Sequence, residues 1–175
     1  MKTGFTHEST HNESVEWYTP RSIFDALGIS FDLDVCSPGA SVVSWIPATV
    51  HLTINDNGLA APWSGRVWCN PPYGSETAKW MELMAHYNNG MALVFARTDT
   101  NWFHNSVSDG RADSVCFLKG RVNFVPAHKA ADYASDLYGP KQSCGAGSMI
   151  IAYGREMTDV LMQSNLGMVF RHSQF

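Results

Sequence analysis

The residues best suited to chemistry follow a short apolar run at positions 67–69: they are Asn70, Pro71, Pro72 and Tyr73. Proline cannot donate to a β-ladder, and Pro71 favours an extended conformation for the residue before it, so a strand should end here in a stiff loop. The side-chain oxygen of Asn70 and the main-chain carbonyl of Pro71 can each accept a hydrogen bond. Two such acceptors can hold both hydrogens of an amino group on an aromatic ring, which makes its nitrogen a better nucleophile. Tyr73 can stack on the aromatic ring that carries this amino group.

The same tetrapeptide could simply be a turn that ends a strand, so the surrounding elements matter. Thr19 and Pro20 predict the start of a short helix that runs to about Leu27, with the threonine as its cap, and the pattern of Glu76–Tyr87 predicts a second helix. Strands are predicted at Phe31–Cys36, Val50–Ile54, Val67–Cys69, Met91–Ala96, Ser114–Leu118 and Ser148–Tyr153. This alternation predicts an α/β fold with a mainly parallel open sheet and flanking helices, in which ligands bind beyond the carboxyl ends of the strands.

The size and composition of the chain indicate one domain. Its 175 residues are 45% hydrophobic and 16% charged, enough for one core. Positions 1–15 are polar and aperiodic, which predicts a flexible arm before a single domain at 16–175 that has no separate target-recognition domain. Positions 126–145 lack periodicity, so we expect a mobile or functional loop there. No apolar run approaches the roughly 20 residues of a membrane span, and no signal sequence is evident, so we expect a soluble, unsecreted protein.

The net charge of −4 argues against a protein that coats nucleic acid through bulk electrostatics. One stretch is locally basic, because Arg111, Lys119, Arg121 and Lys129 face only Asp113. These cations are expected either to meet phosphates or to form a solvated surface.

The four cysteines are not spaced as metal or redox pairs. None forms a C-x-x-C motif, and Cys36, Cys69, Cys116 and Cys144 are scattered along the chain. This pattern favours free thiols that serve as small core residues over disulfides or a zinc site, and no metal site is predicted.

Five motifs in this order resemble the phage-type DNA N-6 adenine methyltransferase (Dam-like) family. They are Trp17-Tyr18-Thr19-Pro20, Phe31-Asp32-Leu33-Asp34-Val35-Cys36, Asp56-Asn57-Gly58-Leu59 with Trp63, Asn70-Pro71-Pro72-Tyr73, and Arg97-Thr98-Asp99-Thr100-Asn101-Trp102-Phe103. The resemblance implies a Rossmann-like fold and methyl transfer from S-adenosylmethionine to the N-6 amino group of an adenine flipped out of double-stranded DNA. It also implies a phage or prophage protein in a bacterial cytoplasm, with no membrane partner and no evident obligatory protein partner.

The resemblance assigns the candidate site residues. The catalytic residues are Asn70, Pro71, Pro72 and Tyr73. The cofactor-binding residues are Trp17, Thr19, Pro20, Asp34, Cys36, Asp56 and Leu59. The substrate-binding residues are Arg97, Asp99, Trp102, Arg121 and Phe124. Among these, Asp34 is expected to pair with the ammonium of the cofactor and Asp56 to bind its adenine amino group. Phe124 is expected to stack on the base, and Arg121 to meet its phosphate.

Each of these motifs also has a purely structural interpretation. Thr19 could cap an ordinary helix, Asp34 could cap the next turn, and Asp56 could belong to an Asp-Asn-Gly turn. The stretch 120–124 could be a plain basic hairpin. In addition, no G-x-G loop follows Asp34, since Ser37-Pro38-Gly39-Ala40 stands there, which leaves the cofactor contacts less defined than the catalytic loop.

Three alternative functions follow from the same residues. Methylation at a cytosine ring carbon commonly uses a cysteine that follows proline. No cysteine here follows proline, so this reaction is disfavoured. Methyltransferases that act on a protein glutamine or an RNA guanine share the Asn-Pro-Pro-Tyr loop, so they remain an enzymatic alternative. A catalytically silent module that binds cofactor or DNA is the third.

Overall fold

The computed structural model describes residues 16–109, 111–135, 142–143 and 145–172, so the predicted arm at 1–15 lies outside the described residues. The strands are β1 (Trp17–Tyr18), β2 (Phe31–Asp34), β3 (Ala48–His51), β4 (Val67–Cys69), β5 (Gly90–Phe95), β6 (Ser114–Leu118), β7 (Asn123–Pro126), β8 (Gln142–Ser143), β9 (Ser148–Tyr153) and β10 (Gly167–Arg171). The helices are α1 (Arg21–Leu27), α2 (Thr77–Tyr87), α3 (Asn101–Phe103), α4 (Ala130–Ser135) and α5 (Arg155–Gln163). Short 3-10 turns occupy Ile54–Asp56 and Ala127–Lys129, and a π-helical turn occupies His104–Ser108.

The large sheet has seven strands in the order β10-β6-β9-β5-β4-β2-β3. The pairs β2-β3, β2-β4 and β4-β5 are parallel, whereas β5-β9, β6-β9 and β6-β10 are antiparallel. The expectation of a mainly parallel sheet is therefore wrong, and the sheet is mixed. A strand that is buried on both faces is a continuous apolar run whether it pairs parallel or antiparallel. The sequence therefore does not indicate the orientation of these strands.

One edge of this sheet collects the carboxyl ends of five strands. The ends of β2, β3, β4 and β5 meet there because these strands run parallel. The end of β6 joins them, since β5 and β6 both run antiparallel to β9. We call this side of the molecule the carboxyl edge.

The core lies on both faces of the sheet. Helices α1 and α5 cover one face, where Phe24 packs edge-on against Trp68 at a centroid distance of 4.8 Å. Helix α2 covers the other face with Trp80, Met81 and Met84. Each fully buried large apolar side chain contributes roughly 1.5–3 kcal/mol to stability. Because both faces are covered, the strands that carry the carboxyl edge are held rigidly.

The small sheet has the order β1-β7-β8 and is antiparallel. Strand β1 pairs with β7 through Trp17↔Pro126 and Tyr18↔Val125. Stretch 126–145 was expected to be a loop, but its described part contains a 3-10 turn, α4 and β8. Tyr133 of α4 is buried, and its ring packs edge-on against Trp45. This segment therefore contributes to the core.

The start of α1 differs from the prediction. Its N-cap is Pro20. Among the described residues no side chain caps the helix, and the hydroxyl of the buried Thr19 has no hydrogen-bond partner. The free amide of Arg21 instead donates to the hydroxyl of Tyr133 at 3.0 Å. The prediction that Thr19 caps this helix is therefore wrong, because a residue 112 positions away in the sequence provides the acceptor.

Two strand boundaries also shift. Strand β2 ends at Asp34 rather than Cys36, and β3 spans Ala48–His51 rather than 50–54. The chain leaves β3 early because Thr53 and Asp56 form a capping box for a 3-10 turn. The shift places His51 at a strand end, directly opposite Asp34 in the parallel register.

Candidate active site

The loop after β4 presents Asn70 at the carboxyl edge in a defined orientation. Its side-chain nitrogen donates to the main-chain carbonyl of Trp17 at 2.7 Å, and its side-chain oxygen accepts from the hydroxyl of Tyr73 at 3.0 Å. A carbonyl only accepts hydrogen bonds, so the Trp17 contact decides which amide atom is the nitrogen. The half-buried Asn70 therefore turns its oxygen toward Tyr73 and away from β1.

Four aromatic side chains surround this loop, and we call Trp17, Tyr73, Phe95 and Phe124 the aromatic cluster. The rings of Tyr73 and Phe95 are stacked, with a centroid distance of 3.9 Å and an interplanar angle of 24°. Phe124 lies edge-on to both rings, and Trp17 lies edge-on to Phe124. Phe124 is fully buried, so in this arrangement it supports the other rings and presents no open face to a base.

The carbonyls of the loop are not all free. Pro71 is buried, and its carbonyl accepts no hydrogen bond within the described residues. The carbonyl of Pro72 accepts from the hydroxyl of Thr77 at 2.9 Å, which ties the loop to the first turn of α2. Of the two prolines, Pro71 thus has the carbonyl available for a ligand.

Asp34, one of the residues predicted to bind the cofactor, is buried and already engaged. One carboxylate oxygen lies 3.4 Å from the amide nitrogen of Cys36, and the other lies 3.4 Å from Nδ1 of His51. The hydroxyl of Ser37 lies 2.9 Å from the same ring nitrogen. A polar group of three side chains thus stands at the ends of β2 and β3.

Two of the cysteines that are far apart in sequence meet in the fold. The sulfur of Cys36 lies 3.9 Å from the sulfur of Cys69, next to the Asn70 loop. Burial raises the pKa of Cys36 well above its usual value, so this thiol stays protonated at neutral pH. Burial also raises the pKa of Cys116 to about 11. Cys144 lies outside the described residues.

Asp56 is exposed and makes a local contact. One of its carboxylate oxygens accepts from both the amide and the hydroxyl of Thr53, each at 2.7 Å. These hydrogen bonds lower the pKa of Asp56. Asp56 thus stabilises a turn, but the turn is the 3-10 turn after Thr53 and not the Asp-Asn-Gly turn of the alternative interpretation. Its second carboxylate oxygen has no hydrogen bond within the described part of the chain.

The rest of this motif packs on the sheet. A Cβ at Gly58 would clash with the Val35 carbonyl and lie 2.9 Å from Trp80, so only glycine fits. The indole of Trp63 donates to the Gly58 carbonyl and stacks on Trp80. Leu59 is half-buried against the same core. Gly58 and Trp63 therefore have structural roles.

Thr19 and Pro20 are both buried, beside the strand that contacts Asn70. The Thr19 carbonyl accepts from the indole of Trp45 at 2.8 Å, but the Thr19 side-chain oxygen has no partner in the described part of the chain. An unsatisfied buried polar group typically costs 1–3 kcal/mol. This hydroxyl therefore has an unmet hydrogen-bonding capacity.

The residues predicted to bind substrate are spread along the carboxyl edge. Arg97 and Asp99 are exposed in the loop after β5, and their side chains make no hydrogen bond or ion pair within the described residues. Trp102 is half-buried on α3 and packs against the core on the α2 face. The loop after β5 thus exposes one positively and one negatively charged side chain to solvent.

Arg121 and Lys119 line a cavity of about 150 Å³ with Ser22 and Asn123. A guanidinium nitrogen of Arg121 lies 4.0 Å from the position of a Cβ built on Gly147, whose carbonyl accepts from the Ala96 amide. The Arg121 side chain therefore lies near the segment that is hydrogen-bonded to the residue after β5.

The basic stretch does not form one surface. Arg111 precedes β6 and Lys119 follows it, so β6 separates the two at opposite edges of the sheet. The expectation that these cations either meet phosphates or form a solvated surface stays a prediction, and the five-residue strand β6 separates Arg111 from Lys119.

Sequence reasoning missed two residues of this region. Phe95 was predicted only as part of a strand, although it stacks on Tyr73. His51 was placed inside a strand, although it ends β3 opposite Asp34. A strand end drawn three residues earlier would have revealed His51, since polar residues at strand ends of such sheets face ligands.

The structure defines an α/β protein whose polar and aromatic residues gather where parallel strands end. The family model of the DNA N-6-adenine-methyltransferase (Dam) family matches residues 7–153 of the 175-residue chain. The chain belongs to this family, and the membership supports methylation of adenine in DNA as its general activity. A search of curated proteins and a search of solved structures found no match. Among the described residues, no helix is long and apolar enough to cross a membrane.

Proposed function

We propose that the protein transfers a methyl group from S-adenosylmethionine to the N-6 amino group of an adenine extruded from double-stranded DNA. The observation that carries the proposal is the bond between the Asn70 amide nitrogen and the Trp17 carbonyl. Because the amide nitrogen makes this bond, the amide oxygen points away from β1 at the carboxyl edge. A preorganised acceptor costs no reorganisation when the reaction occurs.

The polar side chains at the carboxyl edge fit the proposed cofactor. A carboxylate, a hydroxyl and an imidazole lie at the ends of β2 and β3. Thr19 adds a buried hydroxyl that has no partner within the described ranges. The ammonium, sugar hydroxyls and base amino group of S-adenosylmethionine need such acceptors. When bound, it supplies a methyl group already activated by a sulfonium. Trp17, Pro20, Cys36, Asp56 and Leu59 complete the proposed binding residues.

Two oxygens of the loop would hold the target amino group. The Asn70 side-chain oxygen and the Pro71 carbonyl accept its two hydrogens, which localises the lone pair on nitrogen. In this structure the Tyr73 hydroxyl donates a hydrogen bond to the Asn70 side-chain oxygen. This bond must break when the base binds. An amide oxygen is a weak base, so the proton released after transfer passes to solvent.

Tyr73 would then stack on the extruded base, supported from behind by Phe95 and Phe124. Base stacking on an aromatic side chain is worth roughly 1–3 kcal/mol. The tight contact between Tyr73 and Phe95 limits where the tyrosine ring can move. A base that stacks on Phe124 itself would require Tyr73 or Phe95 to move first, because Phe124 has no exposed surface.

The DNA backbone is proposed to lie along the cavity that contains Arg121 and Lys119. Both side chains are exposed, and neither makes an ion pair within the described ranges. Exposed cations without an ion pair among the described residues suit phosphate contacts, which position DNA without reading its sequence. Arg97, Asp99 and Trp102 are the remaining proposed contacts to the target strand.

The strand order supports the proposal of a Rossmann-like methyltransferase fold in one domain. The parallel strands β3, β2, β4 and β5 carry the predicted cofactor and catalytic residues at one edge, which is where ligands bind in open α/β sheets. The antiparallel strand β9 then lies between β5 and β6.

The direct test offers labelled S-adenosylmethionine with duplex DNA, with RNA and with protein in separate reactions. The proposal predicts label in DNA alone and N-6-methyladenine after digestion to nucleosides. Label in protein or RNA would favour the alternative methyltransferases, and no label in any acceptor would favour a silent binding module.

A further inference from the structure

Strand β10 forms one edge of the large sheet, and its exposed side chains are apolar. It pairs with β6 on one side, and no strand of the described residues pairs with its other side. Met168 and Phe170 are 65% and 55% exposed. They point to the same face of the sheet, because side chains two residues apart in a strand share a face. The ring of Phe170 lies edge-on to Phe117 of β6 at a centroid distance of 5.8 Å, which holds it in position.

The hydrogen bonds to β6 show which main-chain groups of β10 are free. The amide of Lys119 donates to the Leu166 carbonyl at 2.9 Å, and the amide of His172 donates to the Asp113 carbonyl at 2.8 Å. Hydrogen-bonded residues alternate with non-bonded ones in an antiparallel pair, so the even-numbered residues of β10 bond to β6. The amides and carbonyls that point away from β6 are those of Gly167, Val169 and Arg171. These groups make no hydrogen bond within the described part of the chain.

Strand β10 lacks the features that keep a sheet edge unpaired. Such edges usually carry charges in the strand, a proline or a bulge. The only charged residue of β10 is Arg171 at its end, the strand contains no proline, and its register with β6 is unbroken. An uncharged edge with free main-chain groups and exposed apolar side chains suits the addition of another strand.

The strand is complementary to itself about Val169. When two copies of β10 pair antiparallel with Val169 opposite Val169, the outward amides and carbonyls of both strands bond to each other. Met168 then lies opposite Phe170 of the second copy, and this sulfur–aromatic contact occurs twice because the pairing is two-fold symmetric. Arg171 lies opposite Gly167 of the second copy. No two like charges therefore face each other directly across the pair.

The size of the apolar patch also fits a second copy. Met168 and Phe170 together expose roughly 200–300 Å² in each copy, since a large side chain has about 150–250 Å² of surface. Over two copies this is about half of the roughly 1,000 Å² that a specific interface buries at its lower limit. The paired main chains and the exposed Arg171 side chains add to this area. The interface is therefore at the small end of the specific class, and we expect a dimer that dissociates on dilution.

We propose that the protein forms a two-fold symmetric dimer through β10, which joins two seven-stranded sheets into one continuous sheet. The second copy of β10 runs in the opposite direction, so the two carboxyl edges lie at opposite edges of the joined sheet. The second copy therefore contributes no residue to the candidate active site. The dimer is independent of the proposed catalytic steps.

Sedimentation velocity of the full chain, free of nucleic acid, tests the proposal over a series of concentrations. The wild type should have twice the 19.3 kDa mass of one chain and should dissociate on dilution. Met168→Lys and Phe170→Glu each place a charge opposite an apolar side chain at both copies of the contact. The dissociation constant of each variant should therefore rise by about tenfold or more.

An equimolar mixture of the two variants tests the register. In the mixed dimer the introduced lysine faces the introduced glutamate, and at the other contact Phe170 still faces Met168. The mixture should therefore dimerise at concentrations where each variant alone is a monomer. Val50→Lys is the matched control, because Val50 is 48% exposed on β3, the opposite edge of the sheet, and this variant should keep the wild-type mass.

Four results would overturn the proposal. They are a wild type that is monomeric at every concentration, folded single variants that dimerise as the wild type does, a mixture of folded variants that stays monomeric, and a loss of the dimer in Val50→Lys alone. Circular dichroism identifies the folded variants. If one single variant does not fold, the other decides the comparison with the wild type.

Discussion

The side-chain nitrogen of Asn70 donates a 2.7 Å hydrogen bond to the main-chain carbonyl of Trp17, 53 residues earlier in the chain. Strand β1, which carries Trp17, is in turn held by β7. The small antiparallel sheet therefore orients a side chain that follows a strand of the large sheet. The amide oxygen of Asn70 is consequently fixed before any substrate arrives.

Tyr73 contributes a ring and a hydroxyl that can be separated by mutation. Tyr73→Ala should weaken binding of DNA that contains an extruded adenine by roughly 5- to 150-fold, because the base loses its stacking partner. Tyr73→Phe keeps the stack on Phe95 and releases the Asn70 oxygen, so binding should not weaken. Fluorescence of 2-aminopurine at the target position measures both. Tyr87→Phe removes a hydroxyl that bonds to Gly65 elsewhere and serves as the control; equal losses in Tyr73→Phe and Tyr73→Ala would contradict the stacking role.

The buried hydroxyl of Thr19 has no partner among the residues that the structure describes, whereas the buried hydroxyl of Thr158 bonds to Ser114 at 3.0 Å. Thr19→Val should therefore raise the free energy of unfolding by about 1 kcal/mol, and Thr158→Val should lower it by a similar amount. Thermal melts of the free protein would show shifts of about 2–4 °C in opposite directions. A loss of stability in Thr19→Val would show that its hydroxyl is satisfied.

Gly58 lies against the main chain of the next segment, which explains why glycine stands in that motif. Gly58→Ala should lower the free energy of unfolding by about 2 kcal/mol, because the added methyl meets the Val35 carbonyl, which cannot rotate away. Gly145→Ala adds the same methyl into open space and should change stability little. Urea unfolding of both variants makes the comparison, and equal midpoints would contradict the close packing.

Asp56 should stabilise the fold in a pH-dependent way. Hydrogen bonds from Thr53 lower its folded-state pKa below the ordinary 3.8, so its contribution is present above that value and is lost as the pH falls through the folded-state pKa. The urea midpoints of wild type and Asp56→Asn should therefore differ at pH 7 and converge below about pH 4. Asp159 is an exposed carboxylate of α5 that makes no hydrogen bond among the described residues. The urea midpoints of wild type and Asp159→Asn should therefore show no such convergence. A constant gap for Asp56→Asn across this range would refute the capping role.

The sequence predicted those elements whose signals are local. Strands β4, β6 and β9 have the predicted bounds, because each is an apolar run bounded by polar or turn residues. Strand β3 was misplaced, because Leu52 and Ile54 continue an apolar alternation although Thr53 and Asp56 cap a turn. The direction of β9 and the short strands β1 and β10 depend on pairing with distant segments, which no local pattern encodes.

The candidate site divides in the same way. The types and spacing of residues 70–73 predicted a stiff loop at a strand end, and the structure places it there. The contacts that orient its side chains were not predictable, because they join Asn70 to Trp17 and Tyr73 to Phe95 across the fold. The burial of Phe124 and the engagement of Asp34 by His51 likewise arise from packing between segments.

In the proposed reaction, the Asn70 oxygen activates the adenine amino group. The most direct measurement compares wild type with Asn70→Ala, using the rate of N-6-methyladenine formation in duplex DNA and the affinity for S-adenosylhomocysteine. Removal of one preorganised acceptor should lower the rate by roughly 10²- to 10³-fold, with little change in cofactor affinity. Gln163→Ala, which removes an exposed amide on α5, should leave both values unchanged. An Asn70→Ala enzyme that methylates adenine at the wild-type rate would contradict the account.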